Sequence, residues 1–589
     1  MSFLGEIKRR KAFQVGAVYA VVAWLAIQVI TAIETPLGLP DWVDTLVIVL
    51  LAIGFPLTLV ISWAFDVTPE GIVRDAGGDA PVKSGGRKIE YVLIGLLVIT
   101  VGWIGYIELG PSGKPARQTL PNSIAVLPFE NLSPDPDNAY FAGGIHEEIL
   151  NQLAKIRDLN VIARTSVLNP DFTDGSMSIP AIALALNVET IMEGSVRYSG
   201  NRDTVRVTAQ LIDGETNTHI WTDTFDGDLT DFFGFQTEIA IQIASATQAE
   251  FSADERERID RPITNSPEAY ALYFKARAVR GVGAGFASSP EYYQILDQAI
   301  ALDPDFAEAH AVKAIGYGLS IRFDIRDSQL TFAEMRAIAT EHTGQALAID
   351  PDLGAAHMAQ AFVHYNNQQG TLAKQAFERA LQLSPNNVDL LDIAARTLSL
   401  LGDHNEAVRM AQRAVDLGRY GAEATLAGTL WYAGNPVAAA ESFREHIDIS
   451  PLQNRLLGAV EFVLGNNAAA ISHLRRFEEL SDFNANVIYP DGIAQLAYQY
   501  GRLGLQEDAR RIFNNLETRR ADGQYIATAS RAILHLAIGD VDKAYQLLGE
   551  INGDWSLYSL RWMKSNILND PVLEEPRFVE LRSRIGVFD

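Results

Sequence analysis

Three long apolar stretches near the N-terminus dominate the hydrophobic pattern of this chain. Residues 12–33 and 45–65 contain no charged side chain, and residues 91–107 form a third, shorter uncharged run. An α-helix needs about 20 mostly apolar residues to cross the hydrocarbon of a bilayer, with roughly 17 as the lower limit. The pattern therefore predicts three transmembrane helices at about these bounds, with residues 1–110 as a membrane anchor.

Basic residues around these stretches indicate an orientation. Four basic residues occupy positions 8–11, the segment 34–44 has none, and four more lie between residues 66 and 90. Because basic loops stay on the cytoplasmic side, the N-terminus is expected inside the cell, in a multi-pass protein of a bacterial inner membrane. Every residue after about 108 is then expected in the periplasm, beginning with a linker rich in proline and glycine at residues 111–121.

A second pattern, of short apolar runs and helical periodicity separated by turn residues, covers residues 122–252. Alternation and turns predict strands and hairpins, and apolar residues at intervals of three and four predict helices. The predicted order is βαβαβββα: strand 123–129, helix 141–156, strand 159–163, helix 179–186, strands 190–198, 204–212 and 219–225, and helix 229–251. We expect a mixed α/β domain in which the last three strands form an antiparallel meander.

A third pattern, glycine followed five residues later by alanine, recurs between residues 402 and 544, within a predicted repeat array at about 265–589 whose earlier units look irregular. The spacing is close to the roughly 34 residues of a tetratricopeptide repeat. Small residues let two antiparallel helices approach, and each pair buries its apolar face only against its neighbours, so an all-α solenoid of about seven to nine units is predicted. The pairs are Gly402/Ala407, Gly434/Ala439, Gly465/Ala470, Gly504/Ala509 and Gly539/Ala544.

The charge of the chain is strongly uneven. The net charge is −25, yet residues 1–120 hold ten basic and ten acidic residues, which leaves 38 basic and 63 acidic residues in the remainder. Such an acidic segment repels nucleic acid and anionic headgroups, so nucleic acid is not expected as a partner and the bilayer is met only through the predicted spans. The absence of cysteine excludes disulfides, thiolate metal sites and cysteine nucleophiles.

Several short motifs resemble parts of binding sites, and none is complete. Gly143–Gly144 could cradle a phosphate, but the wider glycine spacing is missing and the neighbouring glutamates repel an anion. His146–Glu148 lacks the second histidine of a zinc-protease helix, since Leu150 stands there. Two acidic groups resemble half a calcium loop but lack its full ligand set: Asp135, Asp137 and Asn138, and Asp226 and Asp228. His357 and His364 lie seven residues apart and are expected to pack within a repeat. No catalytic, cofactor or metal site is therefore predicted.

Residues 122–250 resemble a known family. The segments SIAVLPFENLSPDPDNAYFAGGIHEEILNQLAKI, VIARTS and EGSVRYSGNRDTVRVTAQLIDGETNTHIWTDTFDGDL are similar to the TolB-like amino-terminal domain family. Its members are commonly followed by tetratricopeptide repeats and often carry a winged-helix or a class III adenylate cyclase domain at the front. The resemblance implies the fold and an extracytoplasmic or protein-interaction role. Because the front of this chain holds three predicted spans instead, a role in transcription or cyclic-nucleotide synthesis is not expected.

These observations lead to three hypotheses about function. The first is a non-enzymatic, membrane-anchored scaffold that displays the α/β domain and the solenoid in the periplasm, where the solenoid binds a protein partner. The second is an accessory subunit of a larger membrane complex that docks through its transmembrane helices. The third is a periplasmic ligand sensor or hydrolase that uses the middle domain.

Overall fold

The computed structural model describes part of the chain, in two compact units formed by residues 1–114 and 115–589. The described residues are 19, 22–24, 51, 54–55, 65–68, 71–74, 119–133, 139–172, 175–199, 204–228, 232–247, 249–250, 252–280, 289–322, 330–446, 451–481, 490–551 and 568–584. The predicted spans lie almost wholly outside them. Within the described part, no helix combines the length and the apolar character that crossing a bilayer requires.

The described residues of the first unit include a small antiparallel hairpin. Strands β1 (Phe65–Thr68) and β2 (Gly71–Arg74) pair in register, with Phe65 opposite Arg74. This hairpin lies at the start of the segment 66–90 that was expected to be a cytoplasmic loop, and it includes Phe65, the last residue of the predicted second span. In the same unit, helical residue Tyr19 donates a hydrogen bond to the carbonyl of Leu51 at 2.8 Å and packs its ring against Phe55.

The α/β domain is built on one six-stranded sheet. Its described elements are β3 (Ser123–Val126), β4 (Glu130–Asn131), α1 (Ala139–Leu153), β5 (Asn160–Val161), α2 (Arg164–Val167), α3 (Ile179–Leu186), β6 (Thr190–Ser199), β7 (Thr204–Asp213), β8 (His219–Asp228) and α4 (Phe232–Ala246). The strand order is β5-β3-β6-β7-β8, with β4 beside β6. Strand β3 runs parallel to β5 and β6, whereas β6, β7 and β8 form the predicted antiparallel meander.

The sheet is covered on one face along the meander and on both faces around β3. On β7, Val205, Val207 and Leu211 point into the core that α1 and α4 complete. On β3, Ile124 belongs to that core, and Ala125 belongs to a second core on the opposite face, against α3. A strand buried on both faces has a continuous apolar sequence, which explains the run at the start of the domain. The expected mixed sheet with helices packed on it is confirmed.

The described elements after residue 252 are all helical. A first helix, α5 (Ala253–Asp260), leads into eight successive helix pairs joined by short connections, the arrangement expected of antiparallel neighbours. The pairs are α6 (Pro267–Arg280) with α7 (Pro290–Leu302), α8 (Ala307–Arg322) with α9 (Phe332–Ile349), α10 (Gly354–Asn366) with α11 (Gly370–Leu383), α12 (Val388–Leu400) with α13 (His404–Asp416), α14 (Ala422–Tyr432) with α15 (Pro436–Glu445), α16 (Pro451–Val463) with α17 (Asn467–Leu480), α18 (Pro490–Arg502) with α19 (Gln506–Ala521), and α20 (Thr528–Ala537) with α21 (Val541–Gly549). A 3₁₀ turn (Pro571–Glu574) and α22 (Pro576–Arg584) follow. The predicted helical-repeat solenoid is confirmed.

The glycine and alanine pattern has the physical basis that the sequence indicated. The five glycines of the pattern have φ between +79° and +87°, a backbone conformation that residues with a Cβ rarely adopt. They turn the chain between the two helices of a pair. The five paired alanines are fully buried. One repeat before Gly402, Gln368 takes the glycine position with φ +63°, a strained conformation for an L-residue.

Candidate functional site

The α/β domain and the first repeat share one hydrophobic core. Helix α1 approaches α6 so closely that a Cβ on Gly144 would lie 3.4 Å from the ring of Phe274. Phe274 packs against Tyr270 and Tyr273, with ring centroids 4.5 and 5.3 Å apart. These rings belong to the same buried cluster as the sheet residues, so the solenoid begins as a continuation of the α/β domain.

A charged interaction reinforces this contact. Glu147 on α1 forms an ion pair with Arg277 on α6. The guanidinium of Arg277 also donates to the buried phenol oxygen of Tyr273 at 2.8 Å. The pair is partly buried, so removing one partner leaves a charge with reduced hydration, and the pair constrains how α1 sits against α6.

Three further ionisable groups meet nearby. Gln152 donates to Glu148 at 2.7 Å, and Lys155 donates to Gln152 at 2.8 Å and to the carbonyl of Arg258 on α5 at 3.1 Å. Burial raises the pKa of Glu148, lowers the pKa of Lys155, and raises the pKa of Glu308 on α8 to about 8. Such shifts occur in functional sites and in structural networks alike. Here the hydrogen bonds join α1 to α5, which favours a role in holding the two parts together.

A second contact joins the α/β domain to the solenoid three repeats further on. Asn386, in the turn before α12, donates to the carbonyls of Ile156 and Leu159, both at 2.7 Å. Arg413 on α13 donates to the amide oxygen of Asn386 at 2.7 Å and also to the side chain of Asn160. The side-chain amide of Asn386 is thereby saturated in a position that water cannot reach, since the residue is buried.

The α13–α14 turn adds backbone contacts to the same region. The amide of Ala163 donates to the carbonyl of Leu417 at 2.8 Å, and the amide of Tyr420 donates to the hydroxyl of Thr165 at 3.1 Å. Gly418 has φ +70°, and its carbonyl accepts a hydrogen bond from Ser166. The α/β domain is therefore attached to the solenoid at two separate places, through α6 and through the α11–α12 and α13–α14 turns.

The helix that carries the H-E-E motif uses these residues for packing. His146 is buried, and its Nε2–H donates to the carbonyl of Val126 at 2.8 Å, which joins α1 to β3. Burial lowers the pKa of His146 to about 4, so the ring is neutral near pH 7. His146, Glu147 and Glu148 thus have three different partners. Gly143–Gly144 lies inside α1, which begins at Ala139, and not at a helix N-terminus where a phosphate would bind.

The other motifs considered in the sequence are also dispersed. Asp226 forms an ion pair with Arg206 across β7 and β8 at 2.5 Å. His357 hydrogen-bonds the carbonyl of Pro351 at 2.8 Å, and His364 hydrogen-bonds the nearby Gln369 at 2.6 Å. The acidic group at 135–138 lies outside the described residues. In the part of the chain that is described, no three histidine, aspartate or glutamate side chains are arranged to hold a metal ion.

One pair of side chains was missed by sequence reasoning. His310 on α8 and His342 on α9 face each other, with 2.7 Å between their Nδ1 atoms. They are 32 residues apart in the sequence, a spacing that matches no metal-binding motif. The signal that could have drawn attention to His310 is a repeated segment, LDPDFAEAH at 302–310 and IDPDLGAAH at 349–357, which ends in histidine both times.

Comparison with known proteins finds a curated relative for part of the chain. No protein-family model matches the chain. A curated protein of Rhizobium meliloti (strain 1021), named "Putative adenylate cyclase 3", is 38% identical over 206 residues, which cover 35% of this chain and 33% of that protein. The chain thus matches about a third of the length of this relative. The expectation that the protein is not an enzyme is contradicted by this match, because the relative bears the name of an enzyme, and it is withdrawn.

The solved structures that resemble the chain include two of low identity. PilF of Pseudomonas aeruginosa is 17% identical, with a TM-score of 0.28, over 37% of this chain and 93% of that one. The APC/C hetero-tetramer Cut9–Hcn1 is 16% identical, with a TM-score of 0.36, over 59% of this chain and 62% of that one. These scores are too low to support an argument, and the helix-pair architecture rests on the helices of this chain.

Proposed function

We propose that the chain is a protein-interaction scaffold in which the α/β domain and the solenoid act as one body. The observation that carries this proposal is the two-point attachment of the α/β domain, which fixes the first four repeats relative to the sheet. Stacked helix pairs create extended surfaces for partners, and a rigid surface loses little entropy on binding. The acidic character of residues 121–589 favours a partner with a basic face.

Site-specific photocrosslinking in cells tests the scaffold. A photoreactive residue is placed at the exposed apolar positions Val437, Leu452 and Leu480 of the later repeats, and at the exposed Leu184 of α3 as the control. We expect one protein partner to be crosslinked from solenoid positions and not from Leu184. The scaffold proposal fails if no protein adduct forms, or if the same adducts form at all four positions.

The finer part of the proposal concerns location. We propose that residues about 12–33, 45–65 and 91–107 span a bacterial inner membrane, that residues after about 108 lie in the periplasm, and that the α/β domain is TolB-like. The flanking basic residues support this orientation, and the contact of Tyr19 with Leu51 fits two neighbouring helices of an anchor. Alkaline phosphatase fused after Asp589 should be active, and a fluorophore that matures only in the cytosol should stay dark; the reverse pattern refutes the orientation.

An alternative form of the scaffold docks through the membrane helices as an accessory subunit. The two forms differ in what an exported chain without residues 1–110 can do. If the exported remainder still yields the solenoid crosslinks, the partner binds the solenoid. Loss of the crosslinks in a folded, exported remainder assigns the docking to the spans.

The named relative favours a second candidate function, cyclic AMP synthesis. The observation is the 38% identity over 206 residues to a protein whose name is that of an adenylate cyclase. The test is an assay of the purified full chain with ATP and either Mg²⁺ or Mn²⁺, with cyclic AMP measured directly. Product that requires both the protein and the divalent ion supports this function, and product at the level of the protein-free control rejects it.

A further inference from the structure

A cleft between the first and second repeats brings two histidines from different helices together. It has a volume of about 390 Å³ and lies where the end of α7 and the α7–α8 turn meet α8 and α9. His310 is buried and His342 is half-buried on its wall. The remaining lining residues are Ile300, Pro304, Asp305, Gln345, Ala348 and Ile349. The cleft therefore combines apolar side chains with two imidazoles, a carboxylate and an amide.

The hydrogen bonds of His310 determine which of its two ring nitrogens is unprotonated. Its Nε2 lies 3.1 Å from the carbonyl oxygen of Pro304, which can only accept, so Nε2 carries the proton. The Nδ1 of His310 is then unprotonated and points at the Nδ1 of His342 at 2.7 Å. A histidine that donates one ring N–H to a backbone carbonyl and directs the other nitrogen outward has the arrangement of a metal ligand.

We propose that His310 and His342 bind a divalent transition-metal ion, of the class Zn²⁺, Ni²⁺ or Cu²⁺, through their two Nδ1 atoms. Imidazole nitrogens suit these ions better than Mg²⁺ or Ca²⁺. At zinc–nitrogen distances of about 2.0–2.1 Å, two ligands of a tetrahedral ion lie roughly 3.3 Å apart. The rings need to separate by about 0.6 Å from their present distance, and His342 moves its proton from Nδ1 to Nε2.

Water would complete the coordination shell from the open side of the cleft, which Asp305 and Gln345 also line. With two nitrogen ligands, the affinity expected is that of an exchangeable ion and not of a closed structural site. The ion would clamp α8 to α9.

The surrounding charges allow this binding. Lys313 on α8 adds positive charge, but its ammonium is paired with Asp297 on α7. The negative charges of Asp303 in the α7–α8 turn and of Glu341 on α9 oppose the effect of Lys313 on His310. Burial lowers the pKa of His310, and burial together with Lys313 lowers the pKa of His342 to about 4. The nearby carboxylates thus offset the positive charge of Lys313 around the two rings.

The next repeat provides a matched control. His357 ends the same repeated segment as His310 and donates to Pro351 as His310 does to Pro304, at 2.8 Å. The carbonyl bond is thus a feature of the repeated segment. The particular feature of the cleft is the second imidazole of His342. His357→Ala removes a histidine of the same local geometry and leaves the proposed ligands in place.

The test is titration of the untagged full chain with ZnCl₂ or NiCl₂ at pH 7.4, by calorimetry and by the melting temperature. We expect one ion per chain at this site, a higher melting temperature with the ion, and affinity weakened at least about tenfold in His310→Ala and in His342→Ala. His342→Gln keeps a donor for His310 without an imidazole, so it should fold normally and still lose the ion. His357→Ala should bind as the original chain does. If the ion fails to bind, or binds equally well in the His310 and His342 variants, the pair is a hydrogen bond only and the proposal is overturned.

Discussion

At the scale of single residues, Asn386 connects more separate parts of the chain than its size suggests. Its side chain holds two carbonyls of the α/β domain and accepts from Arg413 of a later helix. A buried carbonyl that loses its donor costs about 1–3 kcal/mol, because water cannot replace the bond. The neighbouring Asn387 has an unrelated task, since it accepts from the amide of Leu390 and caps α12.

This contrast makes a matched pair of substitutions informative. Asn386→Ala should lower the free energy of unfolding by about 2 kcal/mol and speed hydrogen exchange in residues 154–163. Asn387→Ala should cost about 1 kcal/mol through loss of the helix cap and leave exchange in residues 154–163 unchanged. Denaturant unfolding and exchange mass spectrometry measure the two effects. Equal exchange at residues 154–163 in both variants would show that Asn386 does not hold the junction.

His146 makes a pH-dependent contribution to the stability of the α/β domain. Its pKa is about 4 in the folded protein, below the ordinary value of 6.5, because burial disfavours the charged ring. On acidification the unfolded chain takes up this proton first, so the free energy of unfolding falls as the pH drops from about 6.5 towards 4. A difference of this size corresponds to roughly 3 kcal/mol at the acid end.

Replacing His146 with glutamine tests this contribution. Glutamine keeps a donor for the Val126 carbonyl and has no proton to take up in this range. We expect the melting temperature of His146→Gln to decline less between pH 6.5 and 4 than that of the original chain, as measured by scanning calorimetry. His219, exposed at the edge strand β8, is the control, and His219→Gln should follow the original profile. Parallel profiles for the original chain and His146→Gln would contradict the assignment.

At the scale of elements, the packing distance between helices is set by glycine at some positions and not at others. A Cβ on Gly501 of α18 would lie 2.2 Å from the carbonyl oxygen of Ala537 on α20, so these two backbones touch. Gly428 on α14 is also inside a helix, yet a Cβ there would meet no atom within 4 Å. The same residue type therefore has opposite consequences in two repeats.

The paired substitutions Gly501→Ala and Gly428→Ala should separate these cases. Gly501→Ala forces α18 and α20 apart and should destabilise the later repeats by about 2 kcal/mol or more. Gly428→Ala should be neutral or stabilising by up to about 1 kcal/mol, because alanine favours a helix. Denaturant unfolding followed by circular dichroism measures both. A stabilising Gly501→Ala would show that the helices are not in backbone contact.

How far the sequence predicts an element depends on how locally the element is determined. Helix α3 has the predicted bounds, because its proline start and apolar run are local signals. Helix α5 was missed: its sequence, ADERERID, has almost no apolar periodicity, although Ser252 and Glu255 form a capping box in front of it. Strand β4 is only two residues long and exists through its pairing with β6. Contacts such as Asn386 with Ile156, or His310 with His342, depend on how repeats stack, which spacing alone does not encode.

At the scale of the whole molecule, the α/β domain is not closed by its own residues. Its core continues into Ile259, Tyr270 and Phe274 of the first solenoid helices. A fragment that ends near residue 250 would expose the apolar surface that these side chains cover, and it would lose about 25 cal/mol of stability for each Å² exposed. The boundary suggested by sequence pattern therefore differs from the boundary that would give a stable fragment.

Two fragments of different length test this. Residues 118–255 should be poorly stable or aggregate, whereas residues 118–349 should fold cooperatively, because α5–α9 complete the shared core. Calorimetry and size-exclusion chromatography distinguish them, and a monodisperse, cooperatively melting short fragment would contradict the shared core. The long fragment still lacks Asn386 and Arg413, so its residues 154–163 should exchange faster than in the full chain.

The two attachments of the α/β domain have a mechanical consequence. The domain contacts the first repeat near Arg277, and it contacts the solenoid again near Asn386 and Gly418, at the two ends of the fourth repeat. The curvature of the first four repeats therefore cannot change unless the α/β domain deforms or one of its two attachments breaks. Beyond the second attachment, Tyr525 before α20 packs its ring against Phe332 of α9, with centroids 5.6 Å apart, so bending of the later repeats on partner binding would have to break this contact too.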